Sequence, residues 1–290
     1  MNSTLRRAAD LAACGFIYLL PQHRISRLIY WLTRIETPAV KNTIIRLYTA
    51  AFKLDMEEAV ESNPLAYPSM NALFTRALKP DARPLPQDKQ MLVSPADGVI
   101  SEFGSISNTL LLQAKGHEYS HDQLLGGHAE LSRPFNDGLF ATVYLSPRDY
   151  HRVHMPFTGR LTDMIYVPGR LHSVSLLTTR TIPGIFTKNE RLVCLFDTDA
   201  GRLAVVLVGA INVAAIETVW AGLVTPPPGK SVTHTHYDEP ILLQRGAELG
   251  RFNMGSTVVM LMEKGRFEWQ PTLSHYSDIK MGEALAIALN

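Results

Sequence analysis

The sequence predicts an α+β protein: an amphipathic helical N-terminal region followed by a β-dominated, mainly antiparallel body. Three observations carry this. Apolar residues recur at helical spacing up to Leu54. Beyond residue 90 the chain turns to short runs rich in Val, Ile, Leu and Thr, separated by turn residues. No helical pattern of roughly 10–15 residues alternates with those runs, as a parallel doubly wound sheet would require. With 290 residues, 46% of them hydrophobic, the chain can bury a full core and lies far from the disordered class.

Taken in order, Leu11–Leu20 is the longest apolar run, about half of the roughly 20 residues a spanning helix needs. Arg6 and Arg7 before it give it the look of a signal peptide, but Asp10 adjoins it and no small-residue cleavage site precedes Gln22. Ile25, Leu28, Ile29, Leu32 and Ile35 then share one helical face, with Arg24, Arg27 and Arg34 outside it. Thr37-Pro38 supplies an N-cap followed by proline at the first helical position. The next helix sets Val40, Ile44, Leu47, Ala51 and Leu54 on one side, and Asn42, Arg46 and Lys53 on another. Tyr30, Trp31 and Tyr48 suit a lipid–water boundary. A connector with a helix from Ser69 to Leu78 leads to the predicted strands Ala141–Leu145, Leu192–Phe196, Leu203–Val208, Ile211–Val219 and Val258–Met262. Pro147, Asp199–Gly201, Gly209, Pro226-Pro227-Pro228-Gly229 and Lys264-Gly265 punctuate them.

The charges are 28 Lys+Arg against 27 Asp+Glu, a net +1, which excludes the strongly basic nucleic-acid binders. The balance hides an asymmetry. Residues 1–54 hold eight basic and two acidic side chains, a net +6, which leaves −5 for the rest. Basic amphipathic helices fit either a membrane surface or packing on the body, and the charge excess favours the membrane. Cys14 and Cys194 cannot form a disulfide framework and read as reduced and buried.

Four segments could carry chemistry: Ser94-Pro95-Ala96-Asp97-Gly98, Tyr150 to Pro156 with His151 and His154, Gly222 to Gly229, and Phe252 to Val258 with Gly255-Ser256-Thr257. Singly they are weak. Asp97-Gly98 is ordinarily a turn, the prolines a rigid loop and the histidines core residues. A glycine before a serine has a further possibility. The serine Oγ can attack the preceding carbonyl carbon where glycine permits a strained backbone. The ester so formed can eliminate when a base removes the serine α-proton, leaving a dehydroalanine that hydrolyses to a pyruvoyl group. A histidine oriented by an aspartate would activate that serine, and His154 and Asp97 are available.

Together the four segments resemble phosphatidylserine decarboxylase of the membrane-associated bacterial and mitochondrial type. The resemblance spans roughly residues 60 to 285 and includes Leu145-Ser146-Pro147-Arg148-Asp149, Asn189-Glu190-Arg191 and Gly250-Arg251-Phe252. It implies self-cleavage between Gly255 and Ser256, where this chain has Met254-Gly255-Ser256-Thr257 and the family has Leu-Gly-Ser-Thr. Met for Leu is a swap of similar size and polarity. It implies that Asp97, His154 and Ser256 form the self-cleavage triad and that Ser256 becomes a covalent pyruvoyl group, the Schiff-base site for a serine head group. His151 matches the histidine of decarboxylation and protonation. No metal and no pyridoxal phosphate are expected. The implied partners are phosphatidylserine and an anionic membrane surface, with the 1–255 chain held to the 256–290 chain and a possible homodimer of processed protomers. Residues 1–60 would then be a membrane-docking region and 61–290 the catalytic domain. The expected location is peripheral, at the cytoplasmic face of a bacterial inner membrane, since no Arg/Ser-rich transit segment precedes the first helix.

Three other readings stay open at this stage. A serine hydrolase would use Ser256, His154 and Asp97 without self-cleavage, although Gly255-Ser256-Thr257-Val258 lacks the Gly-x-Ser-x-Gly elbow. A metal site could use the pairs His117/His121, His151/His154 or His234/His236, none of which follows His-Glu-x-x-His. A non-enzymatic membrane module would need only the amphipathic helices.

Overall fold

A computed structural model describes residues 21–114, 116–211, 215–225 and 231–289, and the backbone alone of Leu176 and Ser256. Arg6, Arg7, Asp10, Cys14, the run Leu11–Leu20 and the triple proline therefore lie outside the described residues. The three longest helices in the described N-terminal part are α1 (Gln22–Leu32), α2 (Pro38–Phe52) and α3 (Met70–Phe74). The strands follow in chain order. They are β1 (Met91–Val93), β2 (Gly98–Ser105), β3 (Leu110–Ala114), β4 (His117–Ser120), β5 (Leu139–Leu145) and β6 (Arg152–His154). Next come β7 (Gly159–Val167), β8 (Arg191–Thr198), β9 (Gly201–Gly209), β10 (Ala215–Thr218), β11 (Gly222–Leu223) and β12 (Thr233–Leu243). Last are β13 (Glu248–Asn253), β14 (Ser256–Met262), β15 (Phe267–Trp269), β16 (Asp278–Ile279) and β17 (Ala284–Ala288).

The body is built on an eight-stranded antiparallel sheet of order β12-β7-β8-β9-β14-β5-β2-β16. A four-stranded sheet, β11-β10-β13-β6, lies beside it in sequence. The runs Leu203–Val208 and Val258–Met262 are wholly buried, because β9 and β14 are interior strands covered on both faces. The Asp199–Gly201 signal is a two-residue hairpin between the paired Thr198 and Gly201, the latter at φ 91°.

Two expectations shorten in the structure. The Ser69–Leu78 helix runs only from Met70 to Phe74; Ser69 caps it by accepting from Ala72 N at 3.2 Å. Its far end is pulled into a bridge between Leu78 and Ala59, and Lys79 precedes a proline, which disfavours helix. The Ile211–Val219 run is strand only at Ala215–Thr218, with residues 212–214 not described.

The N-terminal helices dock in an unusual sense. On α1 the buried residues are Gln22 and Ser26, with Thr33 just beyond its end, whereas Leu28 and Trp31 are 55% and 62% exposed. The reason is polar anchoring. Gln22 exchanges hydrogen bonds with His172 Nδ1 (3.0 Å) and Leu171 N (3.0 Å). The Thr33 carbonyl accepts from Asn71 N at 2.8 Å. On α2, Lys41 Nζ donates to the Leu65 and Tyr67 carbonyls at 2.8 Å each, and Tyr48 donates to Pro147 O at 2.5 Å. Ile45 alone of α2 is fully buried, among Met70, Leu73 and Phe74, while Leu47 is 69% exposed. Polar contacts anchor the helices to the body; Leu28, Trp31 and Leu47 face outward, while Ile29, Leu32 and Ile44 are half-buried. Among the described residues, no helix is long and apolar enough to cross a membrane.

Gly98, which opens β2, lies so close to β5 that an added Cβ would stand 2.2 Å from the Tyr144 carbonyl oxygen. Asp97-Gly98 is thus a strand entry, and the glycine is a steric requirement. Gly98→Ala should destabilise the fold by about 1–3 kcal/mol or more, read as a lower urea midpoint; an unchanged midpoint would contradict this contact.

Candidate active site

The junction singled out by sequence is the corner between the two sheets. β13 ends at Asn253 in the smaller sheet and β14 begins at Ser256 in the larger, so Met254 and Gly255 make the crossing. Both take left-handed backbone, at φ 88° and 55°. A non-glycine residue there is strained, and Met254 is held by burial of its side chain against the Ile45, Met70, Leu73 and Phe74 cluster. Gly255 has open space where a Cβ would be, so glycine is needed here for its conformation. Downstream, Ser256 is pinned by backbone pairing to Leu145 on one side and Gly209 on the other.

Gly255 and Met254 line a cavity of about 470 Å³ whose walls also include residues of α1 and α2, Phe74, the end of β5 at Leu145, Pro147, and Val174 and Ala210. The wall is overwhelmingly apolar. It therefore joins the junction to the outward-facing helices.

The two histidines stand in different environments. His151 is fully buried, its ring 3.9 Å from that of Phe74, and its Nδ1 bonds the Asp149 carbonyl at 2.9 Å. A carbonyl can only accept, so Nδ1 carries the hydrogen and Nε2 the lone pair in the neutral ring. That Nε2 is buried without a hydrogen-bond partner. Burial, with the Arg76 charge nearby, pulls His151 down to about 3. His154 follows the same logic. Its Nδ1 donates to Gly246 O at 2.8 Å and its Nε2 lies 2.9 Å from the Tyr150 hydroxyl, which must donate. Burial lowers this imidazole too.

Asp97 is buried close to His154, whose backbone N donates to Pro95 O at 2.7 Å. No hydrogen bond joins the two side chains. Asp97 Oδ1 accepts from Arg83 Nε (2.9 Å) and Met281 N (2.8 Å), and its Oδ2 takes Arg83 Nη2. Arg83 reaches Glu58 at 2.7 Å, and Glu58 reaches Lys280 at 2.8 Å. The structure thus sets Asp97 near His154, with Asp97 locked to Arg83, and His151 against cavity-lining Phe74, while His154 pairs with Glu248 at the opposite end of β13 from the junction. Sequence reasoning gave no role to Arg83, Tyr150 or Phe74. Tyr150 stood inside a segment already singled out, whereas Arg83 and Phe74 carried no signal of their own.

The remaining histidine pairs have other partners. His234 and His236 both bond Asp163 Oδ1, at 2.8 and 2.9 Å, and His121 bonds Asn136 at 2.9 Å. Among the described residues, no group of three or more His, Cys, Asp or Glu side chains could hold a metal ion. Cys194 is buried and free.

Comparison with known proteins identifies the family. The family profile described as phosphatidylserine decarboxylase matches residues 70–287, and one described as PSD matches residues 14–53. The chain is 56% identical over 254 residues to a phosphatidylserine decarboxylase proenzyme of Alkalilimnicola ehrlichii, covering 87% of this chain and 88% of that protein. It is 53% identical over 275 residues to the corresponding proenzyme of Bordetella avium, with 94% and 93% covered. A third, from Azotobacter vinelandii, is 51% identical over 275 residues, with 93% and 96% covered. A profile covering most of the chain and relatives this close over nearly its whole length leave one assignment: the chain belongs to the phosphatidylserine decarboxylase family.

Proposed function

We propose that the protein decarboxylates phosphatidylserine to phosphatidylethanolamine with a pyruvoyl group made from its own Ser256. The observation that carries this is the Gly255–Ser256 junction, a left-handed corner between two sheets that opens on an apolar cavity beneath the N-terminal helices. In the maturation step, Ser256 Oγ attacks the Gly255 carbonyl carbon and the peptide bond gives way to an ester. Removal of the Ser256 α-proton then breaks the Cβ–Oγ bond, releasing Gly255 as a carboxylate and leaving a dehydroalanine. Tautomerisation and addition of water expel ammonia and leave the pyruvoyl group. Neutral His154, its Nδ1–H fixed by Gly246, supports the reading of this residue as the base at Nε2. Asp97 acts on it through its charge, held in place by Arg83.

The surroundings of residue 256 suit the group. Two buried polar atoms without a hydrogen-bond partner lie close by along the chain and the cavity wall: Ser146 Oγ, one residue beyond the ladder partner Leu145, and His151 Nε2, whose ring packs on cavity-lining Phe74. Such atoms are costly unless a ligand or water meets them. A pyruvoyl group at 256 would supply an electron sink for loss of CO2 from an α-amino acid head group. A serine ammonium must shed a proton to react. Once CO2 has left, His151 Nε2 is the position from which a proton reaches the α-carbon, and an anionic head group entering beside it would favour the protonated imidazole that burial alone suppresses. The cavity walls exclude water and accommodate the lipid's apolar part. Residues 1–60 form the docking region: exposed Leu28, Trp31 and Leu47 enter the head-group zone while Arg24, Arg27 and Arg46 meet anionic lipid. Residues 61–290 form the catalytic domain, and the enzyme sits as a peripheral protein at the cytoplasmic face of the inner membrane.

The purified protein should run as chains of roughly 28 and 4 kDa, the smaller blocked to Edman degradation and reactive with hydroxylamine. Ser256→Ala should remain one chain, and His151→Ala should still be cut yet release no CO2. An intact wild-type chain with a normal N-terminus would refute the pyruvoyl reading and favour a hydrolase.

Acid stability follows from the buried histidines. The unfolded chain protonates His151 near 6.5, whereas the folded one resists to about 3. Between those values the unfolded state binds the extra proton, so stability falls as pH falls, by up to about 1.4 kcal/mol per pH unit. Urea midpoints from pH 6.5 downward should decline less steeply in His151→Asn; parallel slopes would show that His151 titrates normally.

Replacing Leu28, Trp31 and Leu47 together by serine should cut flotation with anionic liposomes by about tenfold or more, without reducing self-cleavage. Flotation equal to the wild type would remove the docking role of these residues.

A further inference from the structure

Three arginines are buried among the described residues, and their donors meet different fates. Arg83 spends its guanidinium on Asp97, Glu58 and the Ala82 carbonyl. Arg191 donates to the carbonyls of Leu124 (2.6 Å), Thr187 (2.8 Å), Asn189 (2.9 Å) and Gln123. Arg76, only 4% exposed, makes one side-chain hydrogen bond, from Nη2 to Arg148 O at 3.2 Å. Its Nε and Nη1 are buried with no partner. The nearby carboxylates are engaged elsewhere. Asp97 belongs to Arg83, and Asp149 Oδ2 accepts from Ser146 N at 2.7 Å. A buried cation with three free N–H donors is an expensive thing to keep without an anion to receive them.

Its place in the site identifies the anion. Arg76 follows α3 by two residues, and Phe74 on that helix both lines the cavity and stacks on His151. The guanidinium is close enough to His151 and to cavity-lining Tyr48 for the charges to act on one another. It therefore stands close behind the Phe74 wall of the cavity, near the imidazole of His151.

Resting on the decarboxylase reading above, we propose that Arg76 binds the phosphodiester of the substrate through the donors it leaves unpartnered. The head group carries two oxyanions, and the chemistry separates them. The carboxylate loses its charge as CO2 departs, so a cation bound to it would stabilise the substrate more than the transition state. The phosphodiester keeps its charge throughout, and a guanidinium that stays charged suits it.

Self-cleaved wild type, Arg76→Lys and Arg76→Gln should be compared by CO2 release from short-chain phosphatidylserine. Inhibition by the matching phosphatidylethanolamine, which has the phosphodiester and no carboxylate, supplies the second arm. Arg76→Gln should raise KM and the product inhibition constant together, by about 30-fold or more, with a smaller change in kcat and a smaller loss in Arg76→Lys. KM raised with product inhibition unchanged would place Arg76 on the carboxylate and overturn the proposal, as would both unchanged in an active enzyme. A wild type that releases no CO2 would instead remove the decarboxylase reading beneath it. A product-bound crystal structure of the wild type decides the point even if the variants fail to mature. A phosphate oxygen within hydrogen-bond distance of Nε or Nη1 supports the assignment; its absence from both overturns it.

Discussion

The backbone ladder around β14 is the constraint on which everything else depends. Seven residues of this strand pair with β5 on one side and seven with β9 on the other, starting in both cases at Ser256. That pairing fixes where the larger sheet begins. The two residues before it must then absorb the whole change of direction from the smaller sheet, and they do so at positive φ. The strain is concentrated at one peptide because both flanking strands are held too firmly to share it.

Around that corner, the site is assembled from polar groups that would be unstable without one another. Arg83 balances Asp97 and Glu58, Lys280 balances Glu58, and Met281 N completes Asp97. The network links positions 58, 83, 97 and 280, so it ties the connector, the entry to β2 and the end of the chain to one point. The histidines, by contrast, are kept neutral by burial and by carbonyls that demand an Nδ1 hydrogen. Charge is neutralised on one side of the site and suppressed on the other.

What could be read from the sequence was whatever depends on neighbours in the chain. The apolar runs of β9 and β14 and the turn at Asp199–Gly201 are local signals, and each appears in the structure. Gly255-Ser256 was legible because the chemistry needs those two residues side by side. The Arg83 grip on Asp97, the Gly246 carbonyl on His154 and the polar anchoring of Gln22 were not, because each joins residues 14 to 150 positions apart. The helical faces illustrate the same limit. Periodicity showed that α1 has an apolar side, but only tertiary contacts decide whether that side faces in or out, and here the buried residues are Gln22 and Ser26. The Ser69–Leu78 helix ended early for a related reason, when a bridge to Ala59 claimed its last residues.

The position of the junction at the very start of an interior strand also governs what a cut there would leave behind. Residues 256–290 comprise β14 to β17, and β14 is laced into the centre of the eight-stranded sheet. A severed segment so placed cannot drift away or be exchanged for a fresh copy without dismantling that sheet. Each molecule would therefore have a single opportunity to mature, and any error at the junction would be permanent for that molecule.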